Sequence, residues 1–237
     1  QGIYRVQRQP YFMRGGRYDV SQEHFEAIES FISVSFSLSE NQEYLTDLAL
    51  WAGFYAFGKA EIIADMIERC YKMGDLSSAD ALRVRFREAM LAADRFLDSN
   101  PLTRMERWIG LARNLGSTED EKDRFEINAR RIVTTWGPGK EPDYLNDYSC
   151  RIWSGLIRDY YLPRCEHYFD SRAEGVRFDF DGWEYRYAED MSGVSPSEPY
   201  DDLVQAARAL VDRFSDIVMD EDELSGWNTF DISKGTN

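Results

Sequence analysis

The chain has 237 residues, of which 43% are hydrophobic and 14% aromatic, and 43 acidic against 28 basic residues give it a formal net charge of −15. This apolar content is ample for a packed core of one substantial domain or two small ones, which excludes a disordered tail. The negative field repels nucleic-acid phosphates and anionic lipid, so neither is an expected partner, whereas neutral sugars remain compatible with it.

Residues 1–18 are basic, aromatic and punctuated by glycine, and we predict that they lead in from an upstream domain. From there the apolar spacing is helical. Asp19 or Ser21 can cap a first helix, because a carboxylate or hydroxyl at that position accepts a hydrogen bond from a first-turn N–H group. The apolar positions of this helix recur every three to four residues and are Phe25, Ile28, Phe31, Ile32 and Phe36.

A second helix is predicted over residues 42–73, and Gly74 is suited to close it with a left-handed backbone. Gly53 and Gly58 favour a kink or break in its middle, because glycine costs a helix about 1 kcal/mol relative to alanine. A third helix is predicted to start at Ser77 and to end before Asn-Pro at 100–101.

Two capping boxes, in which a hydroxyl and a glutamate three residues later satisfy helix N–H groups, are predicted at 103–106 and 118–121. The first is expected to open a short helix bearing Trp108, Leu111 and Leu115, ending at Gly116. The second is expected to open a helix whose apolar positions are Phe125, Ala129, Ile132 and Val133.

Residues 136–144 contain two prolines and two glycines, which predict a loop. Asn146 or Asp147 is expected to cap the next helix, with a kink at Pro163. A mixed stretch around 181–183 then precedes a final amphipathic helix after Pro199.

The predicted fold class is therefore all-α, a bundle or array of about seven to eight helices. The helical domain is placed at residues 19–219, and residues 220–237 are interpreted as an acidic tail. The longest apolar run, 48–58, is far short of the ~20 residues of a bilayer span, so no membrane span is expected. Gln1 is not an initiator methionine and no signal peptide is visible, which suggests a processed product or a part of a longer chain.

No pattern selects catalytic or metal-binding residues. His24 and His167 lie far from any predicted ligand cluster, and an Asp-Phe-Asp-Gly run at 179–182 lacks the later ligands of a calcium loop. The three cysteines contain no Cys-x-x-Cys pair and are expected to be buried thiols. Carboxylate pairs are abundant by chance, but a retaining glycosidase needs two of them ~5–5.5 Å apart across one bond. We therefore expect no catalytic residue, no metal site and no cofactor in this chain.

The segment from Trp136 to Tyr148 has the composition of a binding loop. It combines a tryptophan, two tyrosines and two aspartates, and indole and phenol rings offer flat apolar faces to sugar C–H groups. On these residues alone, an anchoring role for Trp136 in the core is the favoured interpretation, and sugar binding is the alternative.

Several short motifs resemble the C-terminal domain of family 89 α-N-acetylglucosaminidases, and the resemblance covers about residues 17–215. Residues 116–169 are the specific part, and the flanks, including Arg-Tyr-Asp-Val at 17–20, are weaker. The motifs are Gly-Ser-Thr-Glu-Asp-Glu-Lys (116–122), Glu-Ile-Asn-Ala-Arg (126–130), Thr-Trp-Gly-Pro (135–138), Leu-Asn-Asp-Tyr (145–148), Trp-Ser-Gly-Leu (153–156) and Tyr-Tyr-Leu-Pro-Arg (160–164).

The resemblance implies that the chain is the helical part of a retaining exo-glycosidase that removes terminal α-linked N-acetylglucosamine from glycans. It implies that both catalytic glutamates belong to a (β/α)₈ barrel domain of the same polypeptide, so that this chain alone is inactive. By motif match, Trp136, Leu145 and Tyr148 would line the sugar pocket. The loop is longer than the family pattern by Lys140, Glu141 and Pro142, and Cys165 replaces a common aromatic.

Two other functions remain open from the sequence. The chain could be a stand-alone helical module that binds another protein, or an enzyme that uses its own carboxylates. The resemblance implies a secreted, periplasmic or lysosomal location, which the residues themselves do not indicate.

Overall fold

The computed structural model describes residues 22–136, 147, 149, 151–196 and 198–218. Within these residues the chain is all-α, which confirms the predicted fold class, and none of its helices there is long and apolar enough to span a bilayer. The predicted lead-in segment, acidic tail and first-helix caps Asp19 and Ser21 lie outside the described residues. The helices are α1 (Gln22–Ser33), α2 (Gln42–Met73), α3 (Leu76–Asp98), α4 (Met105–Arg113), α5 (Glu119–Val133), α6 (Leu162–Glu174), α7 (Phe180–Glu189) and α8 (Leu203–Phe214).

Helix α2 is the centre of the domain and has the predicted bounds. The Asn41 side chain accepts a hydrogen bond from the Tyr44 N–H group at its start, and Gly74 closes it with φ 75°. It packs against α1, α3 and α8. Because its middle is surrounded, most of its residues from 52 to 65 are buried.

The predicted break in α2 is wrong, since the helix is unbroken over 32 residues. A Cβ atom on Gly53 would lie 2.6 Å from Leu97 Cγ, and one on Gly58 would lie 2.9 Å from the Phe25 ring. Both glycines therefore allow α3 and α1 to approach closely, and this packing compensates for their low helix propensity.

Aromatic contacts join the C-terminal half of the domain to this core. Phe86 of α3 meets Phe169 of α6 edge-to-face at 5.3 Å between ring centroids. Phe57 of α2 meets Tyr161 in the same geometry at 6.1 Å. Such pairs contribute about 0.5–1.5 kcal/mol each beyond their buried area. They therefore stabilise the packing of α6 against α2 and α3.

The predicted capping box at 103–106 is wrong. The Thr103 hydroxyl donates to the backbone carbonyls of Leu97 and Asn100, at 2.5 and 3.0 Å, because it belongs to a 3₁₀ turn (Pro101–Thr103). Arg104 instead occupies the N-cap of α4 without a side-chain cap bond. The second box is confirmed, with Thr118 Oγ1 accepting from the Glu121 N–H at 3.2 Å and Glu121 accepting from the Thr118 N–H at 3.2 Å.

Several apolar positions expected in the core are exposed. Helix α4 ends at Arg113, before the predicted Gly116, and Leu111 and Leu115 are 54% and 71% exposed. Phe36 is 65% exposed, because α1 ends at Ser33 and a 3₁₀ turn follows it. Phe36 and Leu115 lie beyond the ends of α1 and α4, whereas Leu111 lies within α4 on its exposed side.

The helix predicted to start at Asn146 or Asp147 begins about ten residues later. Residues 151–153 are not helical, and Ser154 pairs with the start of α4 through backbone bonds to Thr103 and Met105, at 2.8 and 2.9 Å. A π-helical turn (Ile157–Tyr161) leads into α6. Pro163 is the second residue of α6, which follows directly on this π-helical turn.

Two further outcomes concern the C-terminal part. The stretch around 181–183 is helix α7, whose N-cap Asp179 accepts from the Gly182 N–H, so the expectation of mixed structure is wrong. The final helix is confirmed as α8, with Val204, Ala207, Leu210 and Phe214 buried. Cys70 and Cys165 are buried free thiols as expected, and Cys150 lies outside the described residues.

Candidate functional site

Trp136 lies just beyond the C-terminal end of α5 and is 41% exposed. Its backbone N–H group donates to the Arg131 carbonyl at 2.5 Å, and its backbone conformation is left-handed with φ 65°. This conformation costs a residue with a Cβ atom roughly 1–2 kcal/mol. The structure therefore presents this predicted site residue at the surface on a strained turn, while its role as a sugar contact stays a prediction.

The other two predicted site residues, Leu145 and Tyr148, lie outside the described residues. Asp147, between them in sequence, is described and is 1% exposed. Its N–H group donates to the Thr134 carbonyl at 2.6 Å, and its φ is 60°. The two ends of the predicted loop, near Trp136 and at Asp147, therefore meet at the end of α5, and Asp147 is not the helix cap that the sequence suggested.

Arg164 of α6 is the centre of a buried charge cluster beneath this turn. Its Nη2 donates to Asp147 Oδ2 at 2.9 Å, and its Nη1 donates to the Tyr160 hydroxyl at 2.7 Å and to Glu184 Oε1 of α7. The guanidinium carbon lies 4.3 Å from the centroid of the Tyr160 ring. Each of these side chains is 2% exposed or less.

The cluster has an excess of negative charge, because two carboxylates face one guanidinium. Burial raises the pKa of Asp147 to about 7; the Arg164 charge opposes this rise and the Glu184 charge adds to it. Burial disfavours the charge on Arg164, but Asp147, Tyr160 and Glu184 raise its pKa above its ordinary value, so it stays protonated. Burial also raises the pKa of Tyr160 well above its ordinary value. The geometry is that of a fixed polar support with an acid that titrates near neutrality.

Sequence reasoning missed this cluster. Arg164 follows Tyr-Tyr-Leu-Pro in an otherwise apolar run and lies four residues after Tyr160, on the same helical face. An arginine on a buried face needs a carboxylate partner, and that rule was the available signal. The sequence did not indicate which of 43 acidic residues would supply it.

A second buried guanidinium, that of Arg130, lies in the last turn of α5. It donates to Glu126 Oε1 at 2.8 and 3.0 Å and to the Gly193 carbonyl at 3.1 Å. Its charge lies 5.4 Å from the centroid of the Tyr187 ring of α7. Helices α5 and α7 are thereby held together next to the turn that carries Trp136.

Nothing in the described ranges forms a metal centre, since no group of three His, Cys, Asp or Glu side chains there could hold an ion. Asp179, which the sequence analysis weighed as a calcium ligand, is engaged as the N-cap of α7. Lys59 is fully buried and donates to the Ile217 carbonyl at 2.6 Å, and burial lowers its pKa to about 8. The Lys59 ammonium group therefore binds the backbone just after α8 and is not accessible to solvent.

Comparison with known proteins gives consistent matches. A family model described as the α-N-acetylglucosaminidase (NAGLU) C-terminal domain matches residues 6–213. Human α-N-acetylglucosaminidase is 32% identical over 133 residues, which cover 52% of this chain and 18% of the human protein. The chain thus corresponds to less than a fifth of that curated relative.

Solved structures of a family 89 glycoside hydrolase from Clostridium perfringens share the fold. The complex of that enzyme with 2-acetamido-1,2-dideoxynojirmycin has a TM-score of 0.77 at 24% identity, covering 91% of this chain and 27% of that chain. Its complex with PUGNAc has a TM-score of 0.75 at 24% identity, covering 89% of this chain and 26% of that one. Identity at this level supports the fold alone.

Proposed function

The chain belongs to the family of α-N-acetylglucosaminidase C-terminal domains, and from this membership we propose that it serves a retaining exo-glycosidase that removes terminal α-linked N-acetylglucosamine from glycans. In this proposal, the domain packs on a catalytic (β/α)₈ barrel domain of the same polypeptide, which carries the catalytic carboxylates. The coverage of the human relative is consistent with such a division, because more than four fifths of that protein lies outside the match.

The observation that carries the proposal is the placement of Trp136. A large aromatic side chain, 41% exposed, is held on a left-handed turn above a buried charge cluster. Strained backbone of this kind persists only where its surroundings fix it, and it is concentrated at ligand sites. The indole face suits the C–H face of a sugar ring. We propose that Trp136, with Leu145 and Tyr148, forms one wall of the N-acetylglucosamine pocket.

The first test is an assay of the purified chain and of the polypeptide encoded by its complete reading frame. Both are given a chromogenic aryl α-N-acetylglucosaminide, and circular dichroism verifies that each is folded. We expect no turnover by the helical chain and turnover by the complete polypeptide. Turnover by the 237-residue chain would mean that its own carboxylates perform the reaction and would overturn the assignment.

The second test addresses Trp136 in the complete polypeptide. Trp136→Ala is expected to raise KM roughly 2- to 12-fold, which corresponds to the 0.5–1.5 kcal/mol of an aromatic contact. Phe125→Ala is the matched control, because Phe125 is a similarly exposed aromatic residue, 38% exposed, on α5, the helix that precedes Trp136. Equal effects of the two substitutions would remove Trp136 from the pocket.

A stand-alone interaction module is the second candidate, and three exposed leucines favour it. Leu102, Leu111 and Leu115, on and beside α4, are 68%, 54% and 71% exposed. The reading frame upstream of Gln1 discriminates the two functions. A frame without a barrel, together with a folded chain that releases no sugar, would favour the module.

A further inference from the structure

We propose that Asp147 and Arg164 are positioning residues for Trp136, because their buried ion pair fixes the turn from which the indole projects. The consequence for the reaction rests on the proposed function, since it concerns sugar affinity. The consequence for the position of Trp136 does not, and it can be measured without substrate.

A short chain of contacts connects the ion pair to the turn. Arg164 Nη2 holds the Asp147 carboxylate at 2.9 Å, and the Asp147 N–H group donates to the Thr134 carbonyl at 2.6 Å. Thr134 lies two residues before Trp136, whose own N–H group donates to the Arg131 carbonyl at 2.5 Å. The turn is therefore attached at one point to α5 and at another, through Asp147, to α6.

Arg164 is a rigid reference point for this attachment. Its guanidinium is held by groups from the π-helical turn and from α7, namely the hydroxyl of Tyr160 and the carboxylate of Glu184. The rings of Tyr160 and Tyr161 lie 4.3 and 5.5 Å from it. Because a buried arginine with several partners has no other low-energy position, Asp147 cannot move without leaving its charge unpaired.

The strain in the turn explains why an attachment is required. Trp136 and Asp147 both have left-handed backbone, with φ 65° and 60°. Tryptophan gains nothing from this conformation by itself, so the turn is expected to relax when the attachment weakens. Aspartate and asparagine both tolerate it, and Asp147→Asn therefore removes the charge of the pair while leaving the local backbone preference in place.

Asp94 provides the matched control. Like Asp147 it is 1% exposed and paired with an arginine, Arg158, at 3.2 Å, and it also accepts from a backbone N–H group, that of Gly155, at 2.7 Å. It lies on α3, and neither of its partners belongs to the turn that carries Trp136. Asp94→Asn thus removes an equally buried charge of the same type.

The first experiment follows the indole N–H resonances of the chain labelled with ¹⁵N-tryptophan, which contains six tryptophans. The Trp136 resonance is assigned by its loss in Trp136→Phe. We expect Asp147→Asn to shift or broaden this resonance more than the other five, and Asp94→Asn to leave it in place. Arg164→Lys, which keeps the charge and loses the paired geometry, is expected to reproduce the effect. If Asp147→Asn does not fold, the Trp136 resonance is measured in Arg164→Lys instead. An unmoved Trp136 resonance in the folded variants would overturn the inference.

The second experiment separates this inference from the proposed function by steady-state kinetics on the complete polypeptide. Asp147→Asn is expected to raise KM about as much as Trp136→Ala does, with kcat within twofold, and Asp94→Asn to change neither. A raised KM in Trp136→Ala without one in Asp147→Asn would overturn the positioning role alone. A moved resonance with unchanged KM in both would overturn the sugar-pocket function and leave the positioning role standing.

Discussion

Replacing Arg164 by methionine is predicted to destabilise the domain severely. Methionine is apolar and of similar length, so the packing against Tyr160 is largely kept while the charge is lost. Asp147 and Glu184 then face each other without a cation, both about 1% exposed. Removing one partner of a buried ion pair costs about 3–5 kcal/mol. For a domain of this size that corresponds to a fall in Tm of about 6–20 °C.

The assay is urea unfolding followed by circular dichroism at pH 5 and pH 8, with differential scanning calorimetry for Tm. The loss should be smaller at pH 5, because Asp147, whose pKa burial raises to about 7, is protonated there, which removes one of the unpaired charges. Adding Asp147→Asn and Glu184→Gln to Arg164→Met should recover at least half of the loss, because a cluster without charges has no ion to desolvate.

Two outcomes would refute this reasoning. A loss below about 1 kcal/mol at pH 8 would mean that water or another cation reaches the carboxylates, which contradicts their burial. A triple variant as unstable as Arg164→Met would mean that the loss comes from packing around the side chain and has no electrostatic origin.

The α2–α3 contact, the cap of α5 and the carboxyl of Asp147 predict three further changes. Gly53→Ala should destabilise the domain, because its Cβ atom would lie 2.6 Å from Leu97 Cγ. In a Leu97→Ala background the same substitution should stabilise the domain by about 1 kcal/mol through helix propensity. A change in the free energy of unfolding that has the same sign in both backgrounds, measured by urea unfolding, would contradict this. Thr118→Ala should cost about 1 kcal/mol through loss of the capping box, and an unchanged urea midpoint would show that the cap is not formed. The pKa of Asp147 is raised to about 7 in the folded state, so its contribution to stability is full below pH ~4 and is lost as the pH rises through 7. Asp147→Asn should flatten this part of the Tm-against-pH curve, and an unaltered slope would assign it to another group.

Helices with local signals were predictable from the sequence. The bounds of α2 follow from Asn41 and Gly74, which are next to the helix in the chain and cap it directly. The capping box of α5 is equally local, since Thr118 and Glu121 satisfy each other. Such interactions do not depend on the remainder of the fold, and for this reason they can be predicted from the sequence.

The errors occur where other groups of the fold bind a side chain that its local sequence marks as a helix cap. Thr103 has the sequence of a cap, but its hydroxyl is taken by the carbonyls of Leu97 and Asn100. Asp147 also has the sequence of a cap, yet Arg164, seventeen residues later, takes its carboxylate. The carbonyls that take the Thr103 hydroxyl lie three and six residues earlier in the chain, whereas for Asp147 a tertiary partner outweighs the local preference.

The same distinction applies to the candidate site. Trp136 was predicted as a site residue from the composition of the segment around it and from a short motif, both of which are local features of the sequence. Its left-handed backbone and its attachment through Asp147 to α6 are tertiary properties. Sequence reasoning therefore named a candidate site residue but did not predict the contacts that hold its turn.

The burial of Asp147, Arg164 and Glu184 is difficult to explain by stability alone. Well-packed apolar side chains of similar volume are often as stable as a buried ion pair, or more so. An apolar cluster, however, would not determine where a turn sits, because apolar contacts have no direction. The bond from Arg164 to Asp147 is directional and continues through a backbone bond to the turn that carries Trp136. The cluster is therefore better understood as fixing the geometry of that turn, and its cost in desolvation is consistent with a position that must not vary.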